Sequence, residues 1–313
     1  MTSRLTLRIF GVLASCLVIT ATAAPVPRMQ AVPQPHDEVS FQRDGVEIAR
    51  YYAGRDSFRP FVFPVIGPAG RSLTRMGHPR DPVSHSHHNS VWLSHQSVNG
   101  ANFWADGAGH IGHQHLVRLE DGPDLASIET RNAWQDKEGK TQMLEHRRIG
   151  AQALENGEWL LLIDTQLEAP PNAPVTLAPT AFGLLGVRMA KTIGVRDGGG
   201  TIRNSEGGVD EAGCFRKPAR WVDYSGPITP QASEGIALLD HPLNPHHPTV
   251  FHVRDDGWMG AALTFPGEIV ITPGQPLRLR YALYVHAGIP PVEVLQKRWE
   301  AFARTEWINF GRK

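Results

Sequence analysis

Cysteine is almost absent from this chain, with only Cys16 and Cys214 among 313 residues. Cys16 lies in a leader segment described below. Cys214 is then left alone, which excludes a disulfide within the mature chain. Long apolar runs are missing too. The run Ile9–Ile19 falls short of the ~20 residues that a membrane-spanning helix requires. Neither sign of charge dominates, with 31 basic and 31 acidic residues, so there is no electrostatic footprint for nucleic acid or an anionic membrane. Lysine is scarce, 6 of the 31 basic residues. No Gly-x-Ser-x-Gly elbow, P-loop, cysteine-based metal motif or His-Glu-x-x-His sequence occurs, which removes several familiar enzyme classes.

At the N-terminus, Arg4 and Arg8 precede the apolar run, and Ala21-Thr22-Ala23 supplies a small-x-small cleavage site. Residues 1–23 therefore read as a signal peptide, placing the mature protein in the periplasm or outside the cell. Leu13-Ala14-Ser15-Cys16 has a lipobox-like shape and gives a second reading, a lipoprotein anchored at Cys16. The apolar Leu17-Val18-Ile19 that continues past it favours cleavage near Ala23. Residues 24–38, with Pro25, Pro27, Pro33 and Pro35, read as an extended linker. Residues 39–313 are then expected to form a single domain.

Within that domain the pattern is β nearly throughout. Asp44-Gly45 between two alternating runs is a strong hairpin signal. Strand-like runs recur at 61–66, 115–119, 126–134, 141–149, 158–167, 176–189, 236–239, 250–254, 260–265, 269–272 and 277–286. Only the segment after Pro290-Pro291, with Val292, Val294, Leu295, Trp299 and Phe302, has helical periodicity. The expected fold is all-β, a large antiparallel β-sandwich with one C-terminal helix. The glycine-rich stretch 191–220 reads as a long irregular excursion.

Eight of the 15 histidines fall between His78 and His115. Imidazole titrates near physiological pH and is the commonest metal ligand. His85-x-His87 would place both rings on one face of an extended segment, and His113-x-His115 repeats the spacing. A metal reading takes His85, His87, His95 and His113 as ligands for a transition metal, although no Glu or Asp between Ser84 and Ala105 completes the set. Alternatively these histidines are polar loop residues bonded to backbone. Trp92, Asn99, Phe103, Trp104 and Asp106 follow closely. Aromatic faces mixed with amide, carboxylate and imidazole groups are the composition of a sugar-binding cleft. A second constellation holds Glu211, Cys214, Arg216, Arg220, Trp221, Asp223 and Tyr224, and a third runs from His241 to Pro248 with Asn244, His246 and His247.

Several of these runs, taken in order, resemble the PmoA-like family of exported bacterial proteins. They are Arg59-Pro60-Phe61 with Pro64–Pro68, His87–Trp92 with His95, Asn99-Gly100 with Phe103-Trp104, Phe182–Arg188, Arg220–Gly226, and Asp240–Pro242 through Asn244 and His247-Pro248 to Arg254. Members are often labelled methane oxygenases. The known methane monooxygenase subunit of that name is a multi-helix membrane protein, a class that this β pattern does not fit. The resemblance implies a fold like the galactose-mutarotase-type β-supersandwich in proteins of carbohydrate-degrading bacteria.

The favoured expectation is a carbohydrate-active protein performing acid–base chemistry (epimerase, lyase or hydrolase) on a sugar or oligosaccharide, with no required cofactor. His87 or His88 would be the general acid, and His247 or Glu211 the base. Arg188, Asp223 and Asn244 would hold hydroxyls or a carboxylate. Trp104 and Trp221 would form walls, and Trp92, His95, Asn99, Arg220 and Tyr224 would complete the binding set. The alternatives are a metal-dependent, oxygenase-like enzyme and a non-catalytic glycan-binding protein.

Overall fold

The computed structural model describes residues 26–310 apart from Pro79 and Pro82. The expected leader, with Cys16, lies outside the described residues. Two large antiparallel sheets face one another. The first has nine strands, in the order Met29–Gln34, Glu38–Arg43, Val46–Tyr52, Phe61–Val65, Val91–Leu93, Leu184–Arg188, Trp258–Ala262, Val250–Arg254 and Lys217–Pro218. The second has eight, in the order Thr201–Asn204, Trp221–Thr229, Ala232–Asp240, Leu277–Ala287, Trp159–Glu168, Thr141–Ala153, Leu125–Asp136 and Gly109–Glu120. A two-stranded ribbon joins Val175–Leu177 to Ile269–Ile271. The expected all-β class is what the chain adopts.

Alternation builds the core. Val91, Leu93, Leu185, Val187, Phe251, Val253, Met259 and Ala261 point inward from the first sheet; Ile128, Ile149, Leu161, Ile163, Val222 and Leu238 meet them from the second. Helix Val292–Ala303 is the one helix longer than five residues among the described residues, and it covers the outer face of the second sheet. There Leu295 and Phe302 pack on Leu160, Leu162, Trp221, Leu239 and Tyr284. No helix among the described residues is long and apolar enough to cross a membrane.

Three expectations change. Residues 29–34 of the expected linker form an edge strand paired with 38–43, with Met29 and Ala31 buried. Pro33 is tolerated there because an edge strand need not donate from every residue. The run 176–189 divides into Val175–Leu177 and Leu184–Arg188, which belong to different sheets. Pro179, which lacks an N–H, lies in the crossing between them. The stretch 191–220 is not irregular throughout: it contains helices Val195–Gly198 and Asp210–Cys214 and the strand Thr201–Asn204, paired with Trp221–Thr229. The Asp44-Gly45 hairpin forms as expected, with φ of 53° and 77° at its two turn residues.

Candidate functional site

Among the described residues the one helix longer than five residues lies on the other sheet, leaving the outer face of the nine-stranded sheet without a long helix. That face carries instead a cross-strand row of Phe61, Trp92, Gly186, Gly260 and His252, directly opposite one another in register. The next row is Arg188, Trp258 and Arg254. The two glycines make room for an indole lying across the strands. A Cβ on Gly186 would fall 2.6 Å from the Trp258 ring and 2.9 Å from that of Trp92, and one on Gly260 would fall 2.8 Å from Trp258. Trp92, Trp104 and Trp258 thereby form a separate aromatic cluster, with Phe61 and Phe182 at its edge.

The histidine-rich loop builds the second wall. Arg59, buried, anchors it: Nη1 donates to Asn89 Oδ1 at 2.6 Å, and Nη2 donates to the Trp104 carbonyl at 3.1 Å and pairs with Asp106 at 2.8 Å. Ser86 Oγ donates to the same Asp106 at 2.6 Å. So held, the His88 ring stacks on Trp258 at 5.2 Å and on Trp92 at 5.4 Å, and His87 meets His88 edge-on at 4.6 Å. Between the two walls lies a cavity of about 540 Å³. Its aromatic lining is Trp104, Phe182, Phe215 and Trp258, and its polar lining is His85, His87, His88, His252, Arg188, Arg216, Arg254 and Asp256.

Three of these histidines, His87, His88 and His252, are held neutral. Burial, then the nearby Arg59 guanidinium, pushes His87 down to about 4. Burial pushes His252 down to about 4 against the pull of its contact with the Ala181 carbonyl. His88 is pushed well below its ordinary range by burial and then by Arg188. Asp256 behaves oppositely. Burial works to raise it, but Arg188 at 2.9 Å and His78 at 3.0 Å hold it below the usual carboxylate range. At physiological pH these imidazoles are unprotonated, the form that can take up a proton during a reaction.

Of the residues expected in the site, His85, His87, His88, Trp104 and Arg188 line this cavity. Trp92 packs beneath it, 1% exposed. The remainder lie elsewhere. His95 is buried, accepts the Ser97 N–H at Nδ1 and meets Thr264 through Nε2 at 2.9 Å. Asn99 occupies a turn with φ of 51° and bonds Gln142 and the Thr176 N–H. Tyr224 accepts the Val195 N–H and donates to the Arg254 carbonyl. Glu211 is bound to Arg254 at 3.2 Å and to the Asp255 N–H, beside the cavity but outside its lining. His247 pairs with Asp240 at 2.7 Å and stacks on Trp299 of the C-terminal helix. Asn244 bonds the same Asp240, and Arg220 lies over Trp299. Trp221 is under that helix, its Nε1 donating to Gln296, while Asp223 is bound by Arg203 and His286. The strand Trp221–Thr229 turns Trp221 and Asp223 to the outer face of the second sheet, so neither they nor the His241–Pro248 loop joins the histidine wall.

The metal set is not assembled either. His85 and His87 are neighbours at 5.9 Å between rings, but His95 bonds Thr264, and His113 lines a different cavity with His110 and His115. Among the described residues no group of three or more His, Cys, Asp or Glu side chains is arranged to hold a metal ion.

Phe215, His252, Asp256 and Trp258 were not among the expected site residues, and Phe182 entered only as the start of the run Phe182–Arg188. A signal existed for some of them. In the expected strand 250–254, His252 and Arg254 alternate with the buried Phe251 and Val253, just as Arg188 alternates with Val187.

Residues 38–300 match the family described as a family of unknown function (DUF6807). No curated protein matches the chain. Among solved structures, the GalM/aldose epimerase homologue from C. elegans is 7% identical, covers 83% of this chain and 99% of its own, and superposes with a TM-score of 0.35. At that score the likeness carries no argument.

Proposed function

The chain belongs to that family of unknown function (DUF6807), and we propose that its outer-face cavity binds a sugar and moves a proton at one of its carbons. The observation that carries this reading is the pairing of neutral His87 and His88 with an indole floor at Trp258 and a buried guanidinium at Arg188. An apolar ring face suits the C–H side of a pyranose, and the polar rim suits its hydroxyls. The relationship to PmoA-like proteins is part of the proposal. It is supported by the convergence of His87, His88, Trp104, Phe182, Arg188 and Arg254, drawn from four of those runs, on one cavity. Action after export is likewise proposed, on the leader sequence.

Hydrolysis with two carboxylates is the weaker alternative, because the chemistry generally needs a pair flanking the bond. Asp256 is the one carboxylate in the cavity lining, and it is bound to Arg188 and His78. Epimerase- or lyase-type proton abstraction fits better. The C–H bond breaks, an N–H bond forms on imidazole, and the electron pair moves into an adjacent carbonyl or carboxyl group. Return of a proton gives the epimer, and departure of a β-oxygen gives the unsaturated product.

Solvent-deuterium incorporation at sugar carbons, followed by NMR over a set of neutral and acidic saccharides, tests the reading. Wild type should exchange one carbon-bound proton. His87→Gln and His88→Gln should lose about 10²–10⁴-fold in rate. The acid limb of the rate should rise through about pH 4, where His87 loses its proton, and stay level to neutrality. Saturable binding without exchange in any sugar, or a loss below tenfold in both variants, removes the catalytic assignment.

A further inference from the structure

We infer that the ligand of this cavity carries a carboxylate, as a uronic acid does, and that Arg188 is its seat. This rests on the sugar reading above and adds to it the class of sugar.

Arg188 is 0% exposed and lies on the cavity wall. Its Nη1 donates to Asp256 Oδ1 at 2.9 Å. Its Nε and Nη2 are buried and, among the described residues, have no hydrogen-bond partner. Buried donors are paired in the great majority of native proteins, so two idle ones on a single guanidinium mark a group that something else must meet. They are not any two donors. Nε–H and one Nη2–H lie along one edge of the planar fork and point the same way, matching the two oxygens of a carboxylate. A hydroxyl would occupy only half of that edge. Asp256 fixes the opposite side of the fork; both atoms of the free edge are closed to solvent in the unliganded protein, so a carboxylate reaches them once a neighbouring side chain of the wall shifts.

The charge balance points to a monoanion. The lining contributes Arg188, Arg216 and Arg254 against Asp256, and Glu211 is bound to Arg254. Three positive groups less two negative ones leave a single positive charge, and His87, His88 and His252 add none while neutral. A carboxylate matches that balance, whereas a phosphate dianion exceeds it. Of the three guanidinium groups in the lining, Arg216 is the one without an acidic partner among the described residues; it is exposed and lies over Phe215 at 4.9 Å and Phe265 at 5.5 Å. It is placed to meet the anion at the rim. The aromatic floor supplies what a bare anion would not need, a surface for the sugar ring.

The test uses the purified chain, with D-galacturonate, D-glucuronate and their trisaccharides set against galactose, glucose and the neutral trisaccharides. Affinities are read by NMR titration. The uronates should bind at least tenfold more tightly than their neutral counterparts, and Arg188→Gln should abolish that preference. Because Arg188 is buried and its replacement puts the fold at risk, Arg216→Gln at the exposed rim is the second variant. It should weaken the uronates about threefold, leave the neutral sugars unchanged, and melt as wild type does. Equal affinity for charged and neutral sugars, or no effect of Arg216→Gln, overturns the carboxylate inference and leaves the sugar reading standing. Failure of every saccharide to bind a folded protein overturns both.

Discussion

Glu145 and Arg147 are both fully buried and face inward from one strand, where the surrounding strands supply mostly apolar side chains. The pair survives there because every contact is made. Arg147 donates from Nε and Nη2 to the two carboxylate oxygens at 2.6 and 2.8 Å, and Thr165 Oγ1 and Trp134 Nε1 donate to the same carboxylate at 2.9 and 3.0 Å. Burial works to raise Glu145, yet Arg147 and these donors hold it below the usual carboxylate range. Removing one member of such a pair leaves the other charged and unmatched. Glu145→Gln should therefore cost about 3–5 kcal/mol in urea unfolding, while Glu145→Leu combined with Arg147→Met should recover most of the loss. A double variant as unstable as the single one would show that the pair contributes more than mutual neutralisation.

At the scale of elements, the legible features were those with a period. The hairpin at 44–45, the long strands of the second sheet and the C-terminal helix all follow from alternation or helical spacing, and all are present. The edge strand 29–34 was obscured by Pro33, and the three-residue strand Val91–Leu93 by the histidines before it. The site was legible only in part. His87, His88, Trp104 and Arg188 stand out by residue type, but His252 and Trp258 join them through register between strands far apart in sequence. Asp223 is equally polar but lies on the other sheet, and Asn244 and His247 lie in the loop that follows its strand Ala232–Asp240, because residue type says nothing about which outer face a segment serves. The same register makes a prediction for the glycine row. Gly186→Ala sets a Cβ 2.6 Å from the Trp258 ring, so the indole must move. Overpacking of this kind costs about 1–3 kcal/mol. Tryptophan fluorescence should shift, and sugar affinity should fall at least tenfold. An unchanged emission spectrum with full binding would mean that the indole is not held where the row places it.

For the whole molecule, buried imidazoles set the response to acid. His87, His95, His241 and His252 are each pushed down to about 4, with burial the leading cause in every case. They are widely spread: two in the cavity, one against Thr264, and one bonded to the Thr305 carbonyl beyond the C-terminal helix. Unfolding returns each ring to a value near 6.5, so between about 4 and 6.5 the unfolded chain binds protons that the folded chain refuses. Stability then rises with pH across that window, is fully present above 6.5, and is lost as pH falls toward 4. Asp164, pushed up to about 6 by burial against the pull of Arg280 and Arg148, opposes this over part of the same range, as do Glu234 and Asp240, which burial also raises, while His78, His88, His113 and His146, lowered by burial, act with the four rings. The melting temperature should thus be level from pH 8 to 6.5 and drop steeply below. His95→Gln keeps a donor for Thr264 and removes one titrating ring, so it should make the drop shallower. Should the melting temperature stay constant from pH 7 to 4, or the His95→Gln curve parallel the wild type, the folded protein must accept protons on these rings without penalty, and neutral histidine bases in the cavity would lose their physical footing.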